Sequence, residues 1–154
     1  LRHLYLNIFS EVFNYREIII ALSRLPRLES LWLGIQLKFP PEPASPSPRI
    51  LGLRHLSLEV GYDSHDQNID EYLHVGHIYP RLATLEVHFY ITQCIACGYN
   101  SELMSEASEE ERKQCAMKRV ALLEPSIPSN INKMFAFDWG FGNKYNKYKY
   151  DELF

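Results

Sequence analysis

Cysteines and long apolar runs are scarce in this chain of 154 residues, and it has no excess of basic residues. The three cysteines, Cys94, Cys97 and Cys115, are an odd number, which does not suit the paired disulfide framework of a small secreted domain. We therefore expect a reducing compartment, either the cytoplasm or the nucleus. The formal net charge of −3 gives no reason to expect DNA or RNA as a partner, because nucleic-acid binding depends on cations that neutralise phosphates.

No stretch of the sequence is apolar for long enough to predict a membrane span. The uncharged run at 87–101 contains His88 and Asn100 and falls short of the ~18 apolar residues that a spanning helix needs. Near the start of the chain, Arg2 and His3 precede alternating residues and not the continuous apolar block of a signal peptide. A membrane partner is therefore not expected.

The usual signatures of enzymes and metal sites are lacking or incomplete. The sequence contains no glycine-rich phosphate loop, no Gly-x-Ser-x-Gly elbow and no His-Glu-x-x-His motif. Cys94 and Cys97 have the spacing of half a zinc site or of a redox pair, with Cys115 and His88 as further candidate ligands. Because no second close cysteine pair exists, we expect a non-catalytic protein without a cofactor. A zinc or redox protein centred on Cys94 and Cys97 is the alternative.

The feature that is abundant is a repeated spacing of leucines, Leu-x-x-Leu-x-Leu. Three copies begin at Leu1, Leu28 and Leu53, and a fourth begins at Leu82 with the conservative change of its last leucine to Val87. The starts are 27, 25 and 29 residues apart (28−1, 53−28 and 82−53), close to the ~20–29-residue period of leucine-rich repeats. Within each copy the last two apolar residues, such as Leu56 and Leu58, point to the same side of a strand. The predicted fold is an α/β leucine-rich-repeat solenoid, with a short parallel sheet on the concave face and helices and loops on the convex face. An ordinary α/β domain with leucine-rich strands is the alternative.

The pattern divides the chain into three parts: repeats at 1–98 with a proline-rich loop at 39–49, an acidic loop and helix at 99–124, and an aromatic tail at 125–154. Capping boxes at 14–17, 68–71 and 108–111 each predict the start of a helix, and a proline follows each helix. In the tail, aromatic residues alternate as in a capping strand. They are Phe135, Phe137, Trp139 and Phe141. Because the sequence begins without Met and within a repeat, we expect it to be part of a longer protein.

The leucine register also predicts which residues face away from the core, in three columns that cross the strands. The columns are His3, Ser30, His55 and Thr84; Tyr5, Trp32, Ser57 and Glu86; and Asn7, Gly34, Glu59 and His88. Since neighbouring strands lie ~4.8 Å apart, Tyr5 and Trp32 should stand side by side in solvent. An exposed aromatic pair among polar groups is typical of a protein-binding hot spot. The alternative is that an adjacent loop covers the pair.

The segments LPRLESLWL at 25–33 and LRHLSL at 53–58 resemble the repeat region of F-box proteins of the leucine-rich-repeat type, in particular the degenerate, fungal-like kind. The resemblance covers residues 1 to about 90. It implies that the columns bind a substrate of a cullin-RING ubiquitin ligase. No F-box pattern occurs in the 154 residues, so a ligase adaptor is an expected partner only if an F-box lies upstream. A leucine-rich scaffold unrelated to ubiquitin is the other hypothesis.

Overall fold

The computed structural model describes residues 1–8, 15–36, 49–61, 75–90, 106–139 and 145–153. In these ranges the chain forms six strands, four α-helices and one 3-10 turn. The strands are β1 (His3–Asn7), β2 (Ser30–Gln36), β3 (His55–Gly61), β4 (Thr84–Tyr90), β5 (Asn132–Asp138) and β6 (Tyr145–Lys149). The helices are α1 (Tyr15–Leu22), α2 (Val75–Ile78), α3 (Glu109–Leu123) and α4 (Tyr150–Leu153), and the 3-10 turn is Glu124–Ser126.

All six strands lie in one sheet, in the order in which they occur along the chain. Strands β1 to β5 pair in parallel, and β6 pairs antiparallel with β5. The middle leucines of the repeated spacing, Leu31, Leu56 and Leu85, are register partners and are 1%, 2% and 1% exposed. The prediction of an α/β fold with parallel strands and inward-facing leucines is therefore confirmed.

The sheet is larger than the four strands that the leucine spacing predicts. β5, whose alternating aromatic residues predicted a capping strand, is a fifth parallel strand, and β6 forms the end of the sheet instead. Thr84 pairs with Asn132, which is 48 residues later (132−84) and well beyond the predicted period. In addition, Lys133 is the register partner of Leu85, so the first inward position of β5 is not a leucine.

Proline turns end α1 and α2 as predicted. The amide of Leu28 donates to the carbonyl of Leu25 (3.1 Å), and the amide of Leu82 donates in the same way to the carbonyl of Tyr79 (3.2 Å). Each turn leads directly into the next strand, because a residue that precedes proline is disfavoured in the helical region. The predicted capping residues of these two helices, at 14 and 68–71, lie outside the described residues, as does the proline-rich loop except for Arg49.

The start of α3 is the predicted capping box. The Ser108 hydroxyl accepts from the amide of Glu111 (3.2 Å), and the Glu111 carboxylate accepts from the amide of Ser108 (2.7 Å). The core-facing side of the helix carries Cys115, Ala116 and Val120, which are at most 1% exposed. The helix thus packs on the leucine side of the sheet. None of the helices in the described part of the chain is both long and apolar enough to cross a membrane.

Aromatic side chains fill the core beneath the last strands. Phe137 stacks on Phe89 with ring centroids 5.1 Å apart and on Trp139 at 5.5 Å, and Tyr148 of β6 tilts against it at 6.1 Å. The buried indole of Trp139 donates to the amide oxygen of Asn146 (2.9 Å). This cluster joins β4, β5 and β6, and it therefore fixes the end of the sheet on which part of the candidate site depends.

Candidate functional site

The face of the sheet opposite the leucines, here called the open face, carries the three predicted columns. Strand pairing confirms the register of each column across β1 to β4. Strand β5 extends the columns by Asn132, Met134 and Ala136. Since the inward residues occupy the other positions of each strand, the side chains of these columns point away from the core. Their role in binding a partner remains a prediction.

Tyr5 and Trp32 lie side by side on the open face, as the sequence predicts. The rings of Tyr5 and Trp32 are stacked with centroids 4.0 Å apart and planes 8° apart. Tyr5 is 67% exposed and Trp32 is partly exposed, so the alternative in which a loop buries the pair is excluded for Tyr5. Because the two residues are register partners on neighbouring strands, the rings are stacked along the strand-to-strand direction. The second face of Trp32 therefore looks across β3, towards Ser57.

A groove of about 450 Å³ opens beside that second face. Trp32 stands on one side of the groove, and Glu86 and Met134 stand on the other. Between its two sides lies β3, which contributes the short side chain of Ser57 to the lining. The remaining polar side chains of its lining are Ser30, His55, Thr84 and Asn132.

The polar residues of the first column are linked to each other at one end of the groove. Nδ1 of His55 and Oγ1 of Thr84 are 2.7 Å apart, which is a short hydrogen bond between neighbouring strands. Which of the two atoms donates the hydrogen bond depends on the imidazole tautomer. The contact links the His55 ring to Thr84 of β4.

Glu86 is the centre of the charged part of the open face. Its Oε1 accepts from Lys147 of β6 and contacts Nε2 of His88, both at 2.8 Å. Partial burial raises the pKa of the Glu86 carboxyl, but the hydrogen bond from Lys147 and the charges of His88 and Lys147 outweigh burial. The net pKa therefore lies below its usual value of 4.5.

This lowered pKa predicts a small loss of stability in acid. A carboxyl whose pKa is lower in the folded state stabilises the fold above its unfolded pKa, and this contribution is lost as the pH falls through the folded pKa. We expect the free-energy difference between the parent and Glu86→Gln to be constant above about pH 5 and to shrink below pH 4.5. Because the pair is partly exposed, the change should be below about 1 kcal/mol. Urea denaturation from pH 2.5 to 7 measures it, with the exposed Glu106→Gln as the control. A difference that grows in acid would contradict the assignment.

The residues of the zinc alternative are only partly described. Cys94 and Cys97 lie outside the described residues. Of the two further candidates, His88 lies on the open face, and Cys115 is buried on the core side of the sheet, so the fold does not bring these two together. Among the described residues, no group of three or more His, Cys, Asp and Glu side chains is placed to hold a metal ion.

The structure adds three residues to the candidate site that the leucine spacing did not reveal. Asn132 and Met134 belong to β5, and Lys147 belongs to β6. The alternation of aromatic residues at 135–139 was the signal for β5, because it identifies the even-numbered positions of that strand as outward-facing. For Lys147 no comparable signal exists, since its place depends on the antiparallel register of β6.

Comparison with known proteins places this geometry in no established family. No family model matches the chain, and neither the curated proteins nor the solved structures include a match. The function is therefore inferred from the open face itself, from the stacked aromatic pair, the groove beside it and the charged group around Glu86.

Proposed function

We propose that the chain is a leucine-rich-repeat solenoid whose open face is a non-catalytic protein-recognition surface, and that it serves as the substrate-binding region of an F-box-type ubiquitin-ligase receptor. The observation that carries the recognition proposal is the stacked pair of Tyr5 and Trp32, exposed at the border of a groove. Aromatic side chains of this kind supply a large contact area and lose little conformational entropy on binding.

The repeat part of the proposal is supported by connections that recur from strand to strand. At three successive steps, a single carbonyl just before one strand accepts from two consecutive amides at the start of the next strand. The accepting carbonyls are those of Arg2, Glu29 and Arg54, and the donors are the amides of Glu29 and Ser30, Arg54 and His55, and Ala83 and Thr84. Identical connections at each step are expected when similar units stack on their neighbours.

A protein partner suits the open face better than a polyanion does. The groove is bordered by an aromatic ring and by the carboxylate of Glu86, and Glu59 lies on the same face. Carboxylates repel phosphate groups, whereas a mixture of aromatic, polar and charged side chains is common at protein interfaces. The ubiquitin-ligase part of the proposal rests on the resemblance of the segments at 25–33 and 53–58 to F-box repeat regions.

Site-specific photocrosslinking tests the recognition face. A benzophenone amino acid at His3, an exposed member of the first column that lies outside the groove lining, should capture a partner in cells, whereas the same group at Lys118, exposed on α3 on the opposite side of the sheet, should not. The captured protein is identified by mass spectrometry and then purified for binding measurements. Equal capture from both positions would contradict an open-face site.

The loss of the indole at position 32 gives the quantitative prediction. Trp32→Ala should weaken binding of the purified partner at least about 30-fold, as expected for an aromatic hot spot worth about 2 kcal/mol. The free energy of unfolding should fall by only about 1 kcal/mol, because the stacking on Tyr5 is lost at a partly exposed position. The control is Leu51→Ala, which removes another exposed apolar side chain, 56% exposed, outside the open face. Unchanged affinity for Trp32→Ala would refute the proposed site.

The ubiquitin-ligase assignment has its own test. In cells that express the natural protein, ubiquitylation of the identified partner should depend on Trp32. If Trp32→Ala reduces binding and leaves ubiquitylation of the partner unchanged, the chain is a leucine-rich scaffold unrelated to ubiquitin.

A further inference from the structure

We infer that the groove on the open face binds an arginine side chain of the partner, stacked on Trp32 and paired with the carboxylates of Glu86 and Glu59. This inference rests on the proposed function, because it names the chemical group that the recognition face selects.

The first support is the orientation of the Trp32 ring. One face of the indole is covered by Tyr5, at a centroid distance of 4.0 Å. The other face is turned along the strand-to-strand direction into the groove, where the neighbouring residue, Ser57, is too short to cover it. A flat and uncovered π face is the surface on which a guanidinium stacks best.

The second support is the width of the groove. Trp32, Ser57 and Glu86 are successive register partners on β2, β3 and β4, so Trp32 and Glu86 stand two strand spacings apart, roughly 9.6 Å. A planar group in van der Waals contact with the indole takes up about 3.5 Å of this distance. The remaining distance is within reach of the Glu86 side chain. Gly34, beside Glu59 in the third column, has no side chain that would close the groove on this side.

The third support is the available hydrogen-bonding capacity of the two carboxylates. Lys147 and His88 both contact the same oxygen of Glu86, Oε1. Within the described ranges, Oε2 of Glu86 and both oxygens of Glu59 have no hydrogen bond or ion pair. A guanidinium offers five donors in one plane and can bond to several oxygens while it stacks, whereas an ammonium is a point charge that cannot stack as a plane.

The charges on the open face favour a cation over an anion at this position. Glu59 lies diagonally across from Trp32, and Glu86 lies directly across from it. Lys147 pairs with Ala136 of β5 and is therefore on the side of Glu86 that faces away from the indole. An acidic side chain in the groove would meet the carboxylate of Glu86, and the described residues that line the groove include no lysine or arginine.

Short peptides test the inference with nuclear magnetic resonance. The chain has two tryptophans, so its spectrum has two indole N–H signals. Trp32 lies at the groove, and Trp139 is fully buried and serves as the internal reference. The probe is acetyl-Gly-Ser-Arg-Ser-Gly-amide, compared with the same peptide carrying citrulline, lysine or glutamate in the centre. We expect the arginine peptide to move the Trp32 signal saturably and to bind about tenfold more tightly than the uncharged citrulline peptide.

Variants assign the binding to the named groups. Glu86→Gln and Glu59→Gln should each weaken the arginine peptide about threefold, and Ser57→Leu, which places a larger side chain between the two sides of the groove, should abolish its binding. Glu106→Gln, a carboxylate outside the open face, should have no effect. An unchanged Trp139 signal shows that each variant is folded.

The outcomes separate this inference from the proposed function. Equal binding of the arginine and citrulline peptides, or tighter binding of the glutamate peptide, would overturn the arginine assignment. If no peptide shifts the Trp32 signal, the arginine assignment is also overturned. If the partner captured from position 3 still requires Trp32 in that case, the recognition face stands. Conversely, selective arginine binding without any captured partner supports the inference and counts against the proposed function.

Discussion

Replacing Phe137 with alanine is expected to lower the free energy of unfolding by about 3–5 kcal/mol. The side chain is fully buried, and its ring contacts the rings of Phe89, Trp139 and Tyr148 on three sides. The cavity therefore opens between three strands, where the surrounding rings cannot move inward without separating from one another. A domain of this size has about 5–15 kcal/mol of total stability, so the variant loses a large share of it.

Urea denaturation followed by far-ultraviolet circular dichroism measures this loss. If Phe137→Ala does not fold, Phe137→Leu keeps most of the volume and should lose about 1 kcal/mol, which leaves a measurable transition. The matched control is Met134→Ala, which shortens a partly exposed side chain on the opposite face of the same strand and should cost less than about 1 kcal/mol. Equal losses for Phe137→Ala and Met134→Ala would show that the aromatic cluster is not the core of this end of the sheet.

The sequence predicts the first four strands because the same spacing of apolar residues recurs in each of them. Leucines two positions apart, such as Leu56 and Leu58, must point to the same side, and a constant period brings each strand next to the one before it. Proline after α1 and α2 limits where the helices end, which leaves little freedom for the start of the strands. For β5 the constant period and the leucine spacing are both lost, because the return segment is longer and Lys133 stands in place of a leucine.

The candidate site, too, is predictable only in the part that depends on the repeated spacing. The strand register alone predicts that Tyr5 and Trp32 are neighbours, since register partners on adjacent strands must lie side by side. The contact of Glu86 with Lys147 joins residues 61 positions apart, and it depends on an antiparallel register that no repeated spacing specifies. The leucine spacing also does not predict side-chain rotamers. The rotamer of Trp32 is the one that turns the uncovered face of its ring towards the groove.

Substitution of Lys133 should have the second large effect on stability, because this lysine occupies a position that is leucine in the preceding strands. As the register partner of Leu85 it is only 8% exposed, and its ammonium lies 4.6 Å from the centre of the Tyr150 ring. The Tyr150 hydroxyl donates to Glu124, and this hydrogen bond raises the pKa of the hydroxyl. The aliphatic stem of Lys133 thus occupies the leucine position, and its charged end reaches past the core to an aromatic ring.

Two substitutions of Lys133 should therefore have very different effects. Lys133→Met keeps the length of the stem and fills an apolar site, so we expect the stability to stay within about 1 kcal/mol of the parent or to rise. Lys133→Glu places a carboxylate against the negative face of the Tyr150 ring and near Glu124, and it should lower the free energy of unfolding by about 3–5 kcal/mol. The control is Lys118→Glu on the exposed side of α3, with an effect within about 0.5 kcal/mol.

The comparison of the two variants, measured by urea denaturation, decides between two descriptions of β5. If Lys133→Met is tolerated and Lys133→Glu is not, position 133 behaves as the fifth member of the inward leucine series, because only an apolar stem suits it. If both variants lose the same stability, the contact of the ammonium with Tyr150 is what the position requires, and β5 is held by that contact and not as a repeat-like continuation of the sheet. Asn132 and Met134 line the groove and belong to the same strand as Lys133. The result therefore also shows whether these two residues are positioned by the repeat architecture or by the contact between Lys133 and Tyr150.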